Sequence, residues 1–228
     1  MIANLLRRCE MPALVAVPVV LGCCAWFGIE QAALLTLFAT IVSVAVFFAS
    51  YEASAPALRQ IVPTVVLAAI AAAGRILFAP IPGFKPVAAI CILTGMVFGK
   101  RSGFMVGALA ALVSNFFFGH GPWTPWQMYA WGLVGYCAGV LAERGMLERP
   151  AVLVAYGVAG SLAFGFIMTS WFIVGYANPI SWQTALAAYG AGLPFDCAQA
   201  IATALILLAV RKPWERKLAR IKAKYALC

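Results

Sequence analysis

Eight apolar runs, most of them long enough to cross a bilayer, leave this chain few ways to fold. They lie at about Pro12–Gly28, Gln31–Ser50, Arg59–Ala79, Pro86–Gly99, Gly103–Gly119, Trp126–Glu143, Pro150–Tyr176 and Thr184–Val210, divided by Gly, Pro or charged residues. A spanning helix takes roughly 20 apolar residues, so eight helices with short connections use up the 228 residues. Only 10% of the chain is charged, against about 25% in a soluble domain. The expected class is an all-α integral membrane protein. An attached nucleotide-binding domain, a receiver module and a water-soluble enzyme fold are excluded.

Charge sets the expected orientation. With the N-terminus inside, the inner segments hold Arg7, Arg8, Arg59, Lys100, Arg101, Arg144, Arg149 and the seven basic residues from Arg211 to Lys224, which is 14 of 16. Arg75 and Lys85 alone remain for the outer half. Basic residues favour the cytoplasmic side, so both termini are expected there, and seven or nine helices would break the pattern. The net charge of +9 therefore reports topology rather than nucleic acid. In the basic tail, Trp214, Leu218, Ile221 and Tyr225 form one helical stripe suited to anionic lipid headgroups; a docking surface for a partner is the alternative. Arg7-Arg8 and Val20-Leu21-Gly22-Cys23 imitate a cleaved leader, but cleavage would reverse the charge pattern of the remaining helices. Seven Cys without a C-x-x-C pair, and a single His, support neither a metal site nor a disulfide framework.

Polar groups at membrane depth carry the functional information, because each costs several kcal/mol unless paired or solvated. Arg75, Asn115, Gln127, Asp196 and Gln199 are such groups. Either Arg75 snorkels to the headgroups and Asp196 sits in a wet loop, or together they line a polar pocket that opens outward. Two outer segments, Phe78–Pro86 and Gly119–Met128, are rich in Pro and are expected to be stiff loops. In the second, Trp123 and Trp126 offer flat faces for a ring-shaped ligand, with His120, Thr124 and Gln127 as hydrogen-bonding partners; an interfacial aromatic belt is the alternative, preferred for Trp26, Trp171 and Trp182. The stretch Leu67–Gly74 holds two overlapping A-x-x-x-A pairs, Ala68 with Ala72 and Ala69 with Ala73, a spacing that lets another helix approach closely.

From about Arg59 to Val210 the chain resembles the substrate-binding subunit, or S component, of an energy-coupling factor (ECF) vitamin transporter. The resemblance rests on the A-x-x-x-A helix followed by Gly74-Arg75, the Phe78–Pro86 loop, the inside turn Gly95–Gly103, Ser114–Gly119 and the run G-H-G-P-W-T-P-W-Q-M at 119–128, which is most similar to the cobalamin-type members. It implies a six-helix core at 56–210, preceded here by an additional transmembrane hairpin at 1–55 and followed by the cytoplasmic tail at 211–228. It further implies a vitamin bound at the outer end by residues among Arg75, Lys85, Asn115, His120, Trp123, Trp126, Gln127, Asp196 and Gln199. Ala68, Ala69, Ala72 and Ala73 would pack on a transmembrane coupling subunit that joins two cytoplasmic ATPases, and the protein would topple in the cell membrane to release its ligand. No P-loop is present, so ATP would be hydrolysed by partner subunits and the chain would need no cofactor of its own. Two other classes stay open: a proton-coupled carrier titrating Asp196 against Arg75, for which internal repeats would be expected, and an intramembrane hydrolase using Ser114 or Ser170, for which no G-x-S-x-G elbow is present.

Overall fold

The computed structural model describes residues 2–27, 31–56, 58–177 and 181–224, and among these residues it contains eight helices and no strand. The helices are α1 (Ile2–Phe27), α2 (Ala32–Ala53), α3 (Leu58–Leu77), α4 (Val87–Phe98), α5 (Lys100–Phe118), α6 (Trp123–Glu143), α7 (Pro150–Tyr176) and α8 (Trp182–Lys224). The class is the one expected, an all-α integral membrane protein. Five helices are long and apolar enough to cross a membrane, namely α2, α3 from Gln60, α5, α7 and the Trp182–Trp214 part of α8.

The shortest helix is the axis of the bundle. A helix apolar on every side belongs inside, and α4 is buried at every position from Val87 to Gly95, touching α3, α5, α6, α7 and α8. Beside it α5 and α6 meet backbone to backbone: a Cβ on Gly103 would strike the Gly135 backbone, and one on Gly135 would strike Gly103. Small residues at such a crossing let two membrane helices close to van der Waals contact, where dispersion replaces the hydrophobic effect as the driving force.

The hairpin α1–α2 lies on the α5, α6 and α7 side, and the C-terminal end of α2 also reaches α3, where the Tyr51 hydroxyl donates to Thr64 Oγ1 at 3.3 Å. Glu10 pins it. This buried carboxylate accepts hydrogen bonds from Ser50 on α2 and from the Tyr136 hydroxyl on α6 at 2.8 Å, and it pairs with Arg101 on α5 at 2.5 Å. A charge left alone there would cost several kcal/mol, which the cation and two hydroxyls offset.

Two boundaries differ from the expected ones. Gly119–Met128 is not a long loop, because α6 begins at Trp123. Pro122 caps it with φ −58° and Pro125 falls in its first turn, where an N–H would have no partner in any case. The other difference is in α8, which runs unbroken through Gly190–Pro194 and Pro213 to Lys224, as membrane helices tolerate Pro when neighbours compensate the lost bond. Of the tail stripe, Trp214 is half-buried against the core. The side chains of Leu218 and Ile221 and all of Tyr225 lie outside the described residues, as does the Trp26 side chain.

Candidate functional site

Arg75 stands in the last turn of α3, only 7% exposed. Its Nη1 donates to Ser114 Oγ at 2.6 Å and to Asn115 Oδ1 at 2.8 Å, both on α5. The guanidinium lies over the rings of Phe118, 4.5 Å from its centroid, and Trp131, at 5.0 Å. Asn115 in turn donates through Nδ2 to Thr124 Oγ1 and Gln127 Oε1 on α6, each at 2.9 Å. Three helices thus contribute to one buried chain of hydrogen bonds that starts at a cation. No carboxylate joins it: the ion pairs among the described residues are Lys100–Glu143 and Arg101–Glu10. The expected titrating pair of Arg75 with Asp196 is therefore corrected. Arg75 is compensated by neutral acceptors and aromatic faces, each weaker than a carboxylate.

The Pro-rich loop closes over this chain and leans on α8. Pro86 packs against Gly74, and Gly83, at φ +75°, sits where a Cβ would meet Ala198 at 2.6 Å and the Phe195 carbonyl at 2.9 Å. Only glycine takes that conformation without strain, and only glycine has room. Half-buried Lys85 is thereby brought into the fields of both Arg75 and Asp196. Burial first, and the Arg75 charge second, push its ammonium below the usual lysine range, while Asp196 pulls it back. Asp196 is half-buried and its carboxylate rests on Gly165 of α7, where any side chain would collide with it. The neighbouring Phe164 stacks on Trp131 with centroids 4.5 Å apart and planes 12° from parallel.

Three buried donors around this region have no partner among the described residues: Arg75 Nε, Trp131 Nε1 and Gln199 Nε2. Each such orphan costs about 1–3 kcal/mol, and buried polar groups are paired in the great majority of cases. Their natural complement is a ligand carrying acceptors.

Other expected site residues fall elsewhere. Trp126 is no lid: fully buried, it packs with Ala13, Val17, Val44, Phe47 and Phe104 where the hairpin meets the core. It sits one helical turn beyond Trp123 on α6 and faces α1 and α2. Trp123 is half-buried and meets Trp171 edge-on at 6.1 Å. Its neighbours Pro122 and Trp171 line a largely apolar crevice of about 250 Å³ between α2 and α7, together with Leu37 and Tyr176. His120 is exposed, its ring edge-on to Phe116 at 4.7 Å, and is not part of the Arg75 chain. On α3, Ala68 and Ala72 are buried in the bundle and cannot meet a partner helix, whereas Ala69 and Ala73 are exposed. Ser114 donates back to Ala110 O while accepting from Arg75, an arrangement unlike an activated nucleophile. Among the described residues no group of three potential metal ligands occurs.

Trp131, Phe164 and Phe118 were missed by sequence reasoning. A signal existed for Trp131: Thr124, Gln127 and Trp131 share one face at i, i+3 and i+7 once the segment is helical. A family model described as ECF-type riboflavin transporter, S component, matches residues 55–214. No curated protein and no solved structure matches the chain.

Proposed function

Because the chain belongs to the family of ECF-type riboflavin transporter S components, we propose that the site around Arg75 and Trp131 binds a planar vitamin of the flavin class. Membership makes the protein the substrate-binding membrane subunit of an ECF importer, multi-pass and not an enzyme. The flavin assignment goes further, and the observation that carries it is the set of three orphaned donors beside a stacked Trp131–Phe164 pair under the Pro-rich loop. A fused heteroaromatic ring offers an apolar face to the aromatics, and its ring carbonyls and nitrogens accept from Arg75 Nε, Trp131 Nε1 and Gln199 Nε2. Ordinary thermal opening of the loop, held on α8 by Gly83, admits the ring. The family description names riboflavin, and nothing in the match speaks for the cobalamin-type likeness.

Energy comes from other chains in this proposal: a transmembrane coupling subunit and two ATPases, with no cofactor held by this one. The coupling subunit meets α3, whose stripe Val62, Val66, Ala69, Ala73 and Leu77 is exposed and is left uncovered by the hairpin. The hairpin at 1–55 is an addition to the ligand-binding core at 56–210, a division supported by a family match that starts at residue 55. Both termini face the cytoplasm across the cell membrane, as the basic residues require. The test is identification of small molecules that co-purify with the protein, by mass spectrometry of a denatured extract. A flavin in near-stoichiometric amount is the expected result; a corrin, or a ligand without a planar ring, overturns the assignment.

A further inference from the structure

A second polar cleft, of about 270 Å³, lies at the opposite end of the bundle, where the hairpin joins the core. Tyr51 and Gln60 form one wall, Glu143 closes the rim, and the first turn of α5, with Lys100, Arg101 and Ser102, forms the floor. That turn starts at Gly99, at φ +89° and without a side-chain cap. Its first backbone bond is Gly103 N–H to Gly99 O at 3.1 Å, so the N–H groups of Lys100, Arg101 and Ser102 precede the helical ladder. Such a terminus carries a partial positive charge and attracts anions.

A terminus alone makes no site, but a second feature points the same way. Ser102 is only 8% exposed and lines the cleft, and its hydroxyl makes no hydrogen bond among the described residues. The two cations are also incompletely engaged: Lys100 gives one of its three N–H donors to Glu143, and Arg101 gives only its Nε–H to Glu10. We propose that this cleft binds a phosphate group, supplied by the headgroup of an anionic phospholipid. The phosphate oxygens accept from the Ser102 hydroxyl, from Lys100 and from the first N–H groups of α5. The cavity exceeds a lone ion and leaves space for the glycerol that follows the phosphate, roughly nine water volumes in all. The height suits this source, because the cleft sits among the basic residues expected at the inner headgroups.

The full chain in mild detergent, given equal amounts of phosphatidylglycerol and phosphatidylcholine, tests this by native mass spectrometry. Retention of phosphatidylglycerol over phosphatidylcholine by roughly fivefold or more is expected, at about fivefold per engaged cation. Lys100→Gln should lower that preference by about fivefold and Ser102→Ala should lower phosphatidylglycerol retention itself by about fivefold, while Lys212→Gln in the exposed tail should leave both unchanged. A parallel arm compares inorganic phosphate with chloride at equal ionic strength on the Tm of delipidated protein. A Ser102-dependent rise with phosphate, without lipid discrimination, keeps the phosphate site and assigns its anion to solution. Equal retention of both lipids with no phosphate effect overturns the proposal. So does phosphatidylglycerol retention that Lys212→Gln lowers as much as the cleft variants.

Discussion

Replacing Arg75 by Met separates ligand binding from stability more sharply than any other single change. The substitution removes two hydrogen bonds from a charged donor, to Ser114 and Asn115, together worth about 3–6 kcal/mol at ~1.5–3 each. Against that loss stands the desolvation of a buried ion that has no carboxylate partner, several kcal/mol that the variant no longer bears. Little is stranded. Ser114 keeps its bond to Ala110 O, and Asn115 keeps its donation to Thr124 and Gln127, so Asn115 Oδ1 alone is left, at about 1–3 kcal/mol. The empty protein should therefore change by no more than ~2 kcal/mol, about 4–8 °C in Tm for a chain of this size. Riboflavin affinity should fall by roughly 10- to 150-fold, the value of one charge-assisted bond of ~1.5–3 kcal/mol. The assays are thermal unfolding in detergent without ligand and titration of riboflavin fluorescence. Because Asp196 is not the partner of Arg75, the losses from Arg75→Met and Asp196→Asn in the empty protein should add within about 0.5 kcal/mol. A large loss of Tm with affinity intact would refute this account and make Arg75 a structural residue.

The two tryptophans should part company: Trp126→Ala should destabilise by about 3–5 kcal/mol as a core truncation, and Trp123→Ala, from a half-buried position, by less than about 1.5, as read from denaturant or thermal unfolding. On α3, Ala69→Leu should leave stability within about 0.5 kcal/mol and abolish uptake in cells that hold the coupling module, whereas buried Ala72→Leu should cost ~1–3 kcal/mol by overpacking; the reverse pattern would put the partner face elsewhere. Gly83→Ala should raise the riboflavin off-rate, by roughly 5- to 30-fold for the ~1–2 kcal/mol of left-handed strain that loosens the loop from α8, measured by stopped-flow dilution.

Helix existence was legible because hydrocarbon allows no other use of these apolar runs, and α7 came out at Pro150–Tyr176, the run marked in advance. The start of α6 was not, because two prolines read locally as loop residues while the helix tolerates both in or before its first turn. That displacement of a few residues turned Trp126 from the expected lid into core and hid Trp131, since side-chain direction follows helical phase. Arg75 and Asn115 could be singled out by their cost at membrane depth. Their partnership could not, because Arg75 and Asp196 differ in charge and so suggest a pair, while the fold seats the carboxylate on Gly165 and gives Arg75 to α5. Half of the A-x-x-x-A signal was ambiguous for a related reason: overlapping pairs mark adjacent helix faces, and only packing tells which one α5 covers.

The most direct test of the central claim is an experimental structure of the protein with riboflavin bound. The ring should lie beside the Trp131–Phe164 pair, with one acceptor in hydrogen-bond reach of Arg75 Nε or Gln199 Nε2. A ring seated instead in the crevice between α2 and α7, against Trp171 and Tyr176, would contradict it.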